Sequence, residues 1–181
     1  MLKTNEAINV LKNMNEVLEN IYIGLMPKSK ASLLETKPAP YGIDDIVQYM
    51  YIKCVESCII IPNGGYGINT DILWDTAFKN TIKESDEFNF LGEFSVVTNN
   101  AKLYGASSII NAKLMRDIYA REHTNKFVLL PSSVHEVLLR SVFVKPSEDD
   151  MEEYNTIVKE VNAQKVSENE RLSDHAYYIE I

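Results

Sequence analysis

Hydrophobic positions recur along this chain in distinct rhythms, and each rhythm predicts a different element. Near the start, Ile8, Leu11, Met14, Leu18 and Ile21 fall at three- and four-residue steps, with Lys12, Asn13 and Glu16 between them. That spacing places one apolar stripe on a helix capped by Thr4 and ending near Tyr22 or Gly24. Residues 26–40 break the rhythm with Pro27, Pro38, Pro40 and three lysines, and read as a loop or an extended connector. A second helix is predicted over residues 42–58. Ile46, Val47, Met50, Tyr51, Cys54, Val55 and Cys58 would share its face, and Asp44 and Asp45 would meet the positive end of its dipole. The β-branched triplet Ile59, Ile60 and Ile61 predicts a short strand, and residues 62–67 a turn.

A third helix follows to Ser85, capped by Asn69, Thr70 or Asp71, with Ile72, Leu73, Ala77 and Ile82 inward. Residues 86–92 read as a connector, 94–98 as a strand, and 104–110 as a second strand entered through Gly105. Asn111 caps a helix over 112–122. The most organised stretch is 126–144, where two short apolar runs flank a Pro-Ser-Ser corner. It predicts adjacent strands at 127–130 and 134–139, the first ended by Pro131, which has no N–H for a ladder. Ser147 caps an acidic helix with Glu148, Asp149 and Asp150 in its first turn and an apolar face of Met151, Tyr154, Ile157, Val158 and Val161. Residues 176–181 read as an edge strand.

This order implies an α+β fold. Its mainly antiparallel central sheet lies in the second half, with helices packed on it and a helical segment before it. One domain is expected over 1–181, with 1–40 as a helical and loop appendage and 41–181 as the main body.

Composition narrows the function classes. The chain has 181 residues, 45% hydrophobic and 24% charged, enough for a core without disulfide or metal staples. No apolar run approaches the roughly 20 residues of a membrane span. The N-terminus lacks the pattern of a signal peptide. Cys54 and Cys58 are the two cysteines, which suits a reduced, cytoplasmic protein. Ten acids against three basic residues after Pro146 place seven of the eight net negative charges there. Such a field repels phosphate backbones, so direct nucleic-acid binding is not expected. It suits a basic protein surface, or else forms a solvated face that keeps the chain soluble.

Candidate chemistry is sparse. His135-Glu136 resembles the start of a zinc-protease helix, but Leu139 stands where the second histidine is needed. No metal and no cofactor are expected. Ser132, Ser133, His135 and Asp174 supply the residue types of a nucleophilic triad without a Gly-x-Ser-x-Gly elbow. Gly64-Gly65-Tyr66-Gly67 lacks the spacing and lysine of a phosphate loop, and instead holds Tyr66 as an exposed contact. Ten tyrosines offer anchors for protein partners.

Several motifs appear together in the second half: Val96-Val97-Thr98-Asn99, Tyr104-Gly105-Ala106-Ser107, the run from Leu130 to Leu139 that reads LPSSVHEVLL, and Leu172-Ser173-Asp174-His175-Ala176-Tyr177. This series resembles a bacterial domain-of-unknown-function family frequent in gut anaerobes and their mobile elements. The resemblance covers roughly residues 80–178 and implies no catalytic residues. The size and setting are similar to those of anti-CRISPR proteins. That similarity implies a non-enzymatic inhibitor, monomeric or homodimeric, whose partner is a type II Cas nuclease with its guide RNA. Glu148, Asp149, Glu152, Glu153 and Tyr66 would form the contact surface. A hydrolase using the region of Ser132, Ser133 and His135, and a housekeeping interaction domain, are the alternatives.

Overall fold

The computed structural model describes residues 13–54, 58–85 and 88–181. The predicted cap at Thr4 and the start of the first helix lie outside these residues. Helix α1 spans Met14–Asn20, capped by Asn13, whose side chain accepts the Asn15 N–H. It gives way to strand β1, Ile21–Pro27, earlier than the periodicity predicts. β2 is Thr36–Pro38, β3 is Ile46–Lys53 and β4 is Cys58–Ile60. β1 runs antiparallel along one edge of β3, while β2 and β4 share the other edge end to end.

The second predicted helix is therefore a strand. Ile46, Val47, Tyr49, Met50, Tyr51 and Ile52 are all buried, so both faces of β3 are covered. A strand buried on both faces reads as a continuous apolar run, and its spacing also satisfies a helical stripe. Asp44 and Asp45 precede a strand, not a helix dipole.

Helix α2, Thr70–Glu84, closes one face of this first sheet. Asn69 caps it by accepting the Asp71 and Ile72 N–H groups. Leu73, Trp74 and Ala77 pack on Ile21, Ile23, Met50 and Ile52. Thr81 Oγ1 accepts the Ile23 N–H at 2.8 Å, and Asn80 donates to the Leu18 and Ile21 carbonyls. These bonds lock the helix onto the junction between α1 and β1.

The larger sheet lies in the second half, as expected for this α+β fold. It comprises β5 (Phe88–Leu91), β6 (Phe94–Val97), β7 (Lys126–Ser133), β8 (Glu136–Ser141) and β9 (Tyr177–Glu180), antiparallel, in the order β5-β6-β8-β7-β9. β7 and β8 are neighbours, as the opening pattern predicts. β7 runs through Pro131 to Ser133, because the ladder shifts register between Leu130 and Ser133. A bulge tolerates the missing proline N–H. Val134 and His135 then form the turn, so β8 starts at Glu136.

Two further expectations fail. Residues 88–91 form an edge strand, where a connector was expected; a four-residue strand with Phe90 and Leu91 exposed shows little alternation. Residues 105–110 form a buried 3-10 helix, Gly105–Ile110, instead of a strand. Gly105 enables it. A Cβ there would meet Thr98 Oγ1, the Asn99 amide and the His135 carbonyl.

Helix α3, Ala112–Glu122, buries Leu114, Met115 and Ile118 under this segment. One hydrophobic cluster joins them to Leu25, Ile43 and Ile46 from the first half and to Phe127, Leu129, Val137 and Leu139 from the second. That cluster covers one face of the larger sheet. Helix α4, Glu148–Lys165, lies on the other.

Candidate functional site

Helix α4 begins with a reciprocal cap. Ser147 Oγ accepts the Asp150 N–H at 3.2 Å, while Asp150 Oδ2 accepts the Ser147 N–H at 2.9 Å and its hydroxyl at 2.6 Å. Those bonds hold the Asp150 carboxyl below the usual carboxylate range, the hydroxyl contributing most. The underside of α4 sets Val158, with Met151 and Tyr154 beside it, against Val128, Leu130 and Ala176.

Polar pins complete the seat. Asn162 Nδ2 donates to the Ser173 carbonyl at 2.8 Å and to Asp174 Oδ1 at 2.7 Å. Asn155 Oδ1 accepts the Ala176 N–H, and Arg171 donates to the Asn162 carbonyl. The helix is thereby fixed to the segment leading into β9. Asn162 is 1% exposed and its Oδ1 has no partner among the described residues. Leaving a buried acceptor unmet costs about 1–3 kcal/mol.

The seat covers only part of the sheet. Strand register sets Leu91 opposite Phe94, Val96 opposite Leu138, and Leu138 opposite Leu130 on the α4 side. α4 rests on the β7 end of that row. Beyond it, Leu91 stays 63% exposed, and on the helix Ile157 and Val161 stay 42% and 37% exposed. Leu91, Phe94, Leu130, Leu138, Ile157 and Val161 line a groove of about 390 Å³, which Asn162 also lines. Its rim carries Glu93, paired with Arg140 at 2.8 Å.

Glu153, Ile157 and Val161 recur at four-residue steps, so they share the groove flank of α4. Glu160, seven residues after Glu153, lies near that flank too. Of the four acids predicted as a contact surface, Glu153 therefore borders the groove. Glu148 and Glu152 fall on the opposite flank, where Glu152 accepts from Asn155 at 3.1 Å and pairs with Lys159 at 3.7 Å. Asp149 points to solvent. Tyr66 is half-exposed, and its hydroxyl donates to the Ile60 carbonyl beside the first sheet. The structure does not bring it to α4.

The serine–histidine set is not arranged as a triad either. His135 Nδ1 accepts the Tyr104 N–H at 3.0 Å, which leaves Nε2 protonated and facing Glu170 at 3.4 Å. Ser133 Oγ accepts the His135 N–H, and Asp174 serves Asn162. Neither ring nitrogen is free to take a proton from Ser132 or Ser133. Glu170 is held below the usual carboxylate range by the Ser167 hydroxyl and then by His135.

A second polar cluster was missed from the sequence. Tyr177 donates to Asp45 Oδ1 at 2.5 Å, and Ser173 Oγ lies 3.2 Å from Asp45 Oδ2 and 3.0 Å from His175 Nδ1. Burial, then Asp45, pushes the Tyr177 hydroxyl well above its ordinary range. Strand alternation gives no signal for it, because Asp174 and His175 form a bend and β9 begins only at Tyr177. The cluster borders a cleft of about 700 Å³ with Lys28, Lys30 and Arg171 on its walls. Its residue types are those of a triad, but Asp45 bonds the serine directly and stands 3.6 Å from His175 Nε2, beyond hydrogen-bond range. It works as a cross-link between the loop before β3 and the start of β9.

Among the described residues, no group of three or more His, Cys, Asp or Glu side chains is placed to hold a metal ion. No described helix is long and apolar enough to cross a membrane.

Fold and site together define a two-sheet α+β protein whose larger sheet is half covered by an acidic helix. The chain belongs to the family of unknown function DUF5688, which matches residues 4–180 and so takes in both sheets and α4. Neither the curated proteins nor the solved structures contain a match to it. The family description assigns no reaction or partner, so function has to be argued from the geometry.

Proposed function

We propose that this protein is a non-enzymatic binding module that recognises a positively charged surface of another protein through α4 and the apolar strip beside it. The observation that carries the reading is the half-covered sheet, where Leu91, Ile157 and Val161 remain in solvent next to Glu153 and Glu160. Apolar side chains gathered beside a charged rim mark interaction sites more often than ordinary surface. Burying them supplies affinity at about 25 cal/mol per Å² of apolar area. The acidic rim steers a basic partner and selects against acidic ones. With a net charge of −8, nucleic acid is disfavoured as the direct ligand. Both ring nitrogens of His135 are engaged by Tyr104 and Glu170 and neither serves Ser132 or Ser133, which supports this reading over the hydrolase alternative.

The finer candidate is inhibition of a type II Cas nuclease carrying its guide RNA. Such enzymes hold their heteroduplex in a positively charged channel, and an acidic helix offers that channel a competing surface. The candidate rests on charge complementarity and on similarity of size and setting. The test is guide-directed DNA cleavage by such a nuclease, with wild type beside a variant carrying Asp149→Lys, Glu152→Lys and Glu153→Lys. The proposal expects inhibition by wild type, with slower association and a flatter salt dependence in the variant. Failure of wild type to inhibit removes the Cas candidate. Equal potency of both proteins removes the acidic face of α4 from the contact.

A further inference from the structure

We infer that the open half of the larger sheet is a seat for one amphipathic helix of the partner, lying beside α4 with basic residues along the edge that faces it. This inference rests on the binding-module reading and names what the module binds.

The dimensions fit a helix. Five strands about 4.8 Å apart span roughly 19 Å between the outer two. Packed helices lie about 8–10 Å apart, so such a face has room for two. One place is taken by α4, seated on Val128 and Leu130 of β7. The other lies over β6 and β5, floored by Leu91, Phe94 and Leu138 and walled by Ile157 and Val161. Side chains at i, i+3, i+4 and i+7 of an incoming helix would fill this trough in the helix-in-groove mode.

The chemistry of the seat selects the helix. Helical spacing sets Glu153, with Glu160 near it, along its α4 side. Lysine or arginine at the edge positions of the incoming helix would meet them, while an acidic helix would be repelled. Glu93 lines the groove at the β5–β6 turn but is already paired with Arg140, so it adds little free charge. Asn162 also lines the groove; it is 1% exposed, and its Oδ1 is buried without a partner among the described residues.

A strand is the competing occupant, because the outer edge of β5 pairs with no strand among the described residues. That edge is only four residues long and ends at the Gly92 turn. Strand addition there would lengthen the sheet and leave Ile157 and Val161 in water.

The experiment measures binding of the full chain, by fluorescence anisotropy, to three labelled leucine–lysine or leucine–glutamate peptides as long as α4, 18 residues. One has leucines at helical spacing with lysines elsewhere. The second has the same composition with leucine and polar residues alternating. The third has helical spacing with glutamates. The helical lysine peptide is expected to bind at least about tenfold more tightly than either of the others. Ile157→Asp with Val161→Asp should abolish that preference, and Leu91→Asn should weaken it. Both side chains on the helix are already exposed, so thermal denaturation should show these variants folded. Tightest binding of the alternating peptide would place a strand on β5 and overturn the inference. Equal binding of the glutamate peptide would overturn its charge selectivity. If none of the peptides binds, the helix seat is wrong, whereas the module itself is judged by photo-cross-linking from position 157 in cells.

Discussion

The backbone N–H of Tyr104 donates to His135 Nδ1 at 3.0 Å, and that bond decides what the histidine does. Tyr104 sits in the left-handed region, φ 54°, where the chain turns into the buried 3-10 helix. Its amide would be left unmet without the imidazole. His135→Ala should therefore lower stability by about 1–2 kcal/mol. His135→Asn should recover part of that loss, because an asparagine Oδ1 can accept the same N–H. Urea denaturation of the three proteins checks this; equal stability of wild type and His135→Ala would show that the bond contributes nothing.

The buried and open sides of the larger sheet should respond differently to truncation. Leu129 is 1% exposed in the shared core, and Leu129→Ala should cost about 2–5 kcal/mol. Ile157→Ala, on the groove side, should stay within about 0.5 kcal/mol. Thermal unfolding compares them directly. A large loss at Ile157 would mean that the groove is part of the folded core.

Gly105 is predicted to tolerate no side chain. A Cβ would collide with backbone atoms of Asn99 and His135, which cannot swing aside as a flexible side chain can. Gly105→Ala should leave the protein poorly folded, while Gly92→Ala, at an open turn, should cost far less. Soluble yield and near-ultraviolet circular dichroism distinguish the two.

These contrasts also show what was legible in the sequence. Helices with a strong cap and one apolar stripe, such as those begun by Asn69, Asn111 and Ser147, are found where predicted. So are the two strands around the Pro-Ser-Ser corner. β3 was misread because burial on both faces erases alternation, and the 3-10 helix because Gly105 gives no clue to the backbone packed against it. The acidic helix was visible, but the groove was not. Ile157 and Val161 read as part of a buried stripe, and only the strand order shows that no described element covers that side.

Acid should act through the cap of α4. The folded Asp150 carboxyl lies below its ordinary range, so its contribution is complete above the unfolded value, about pH 4, and is lost as pH falls through the lower folded value. Glu170 behaves the same way. Stability of wild type should therefore fall more steeply below about pH 4 than that of Asp150→Asn, which has no proton to take up there. Denaturation midpoints measured against pH would show parallel curves if the cap carried no such linkage.

Photo-cross-linking tests the proposal that the flank of α4 and the open sheet beside it face the partner. A benzophenone amino acid is placed at Ile157, or at the exposed Lys79 of α2 as control, and cells making each protein are irradiated. A discrete protein adduct is expected from position 157, none from position 79, and loss of the adduct when Glu153→Lys and Glu160→Lys are added. No adduct at 157, or the same adduct from both positions, would contradict it.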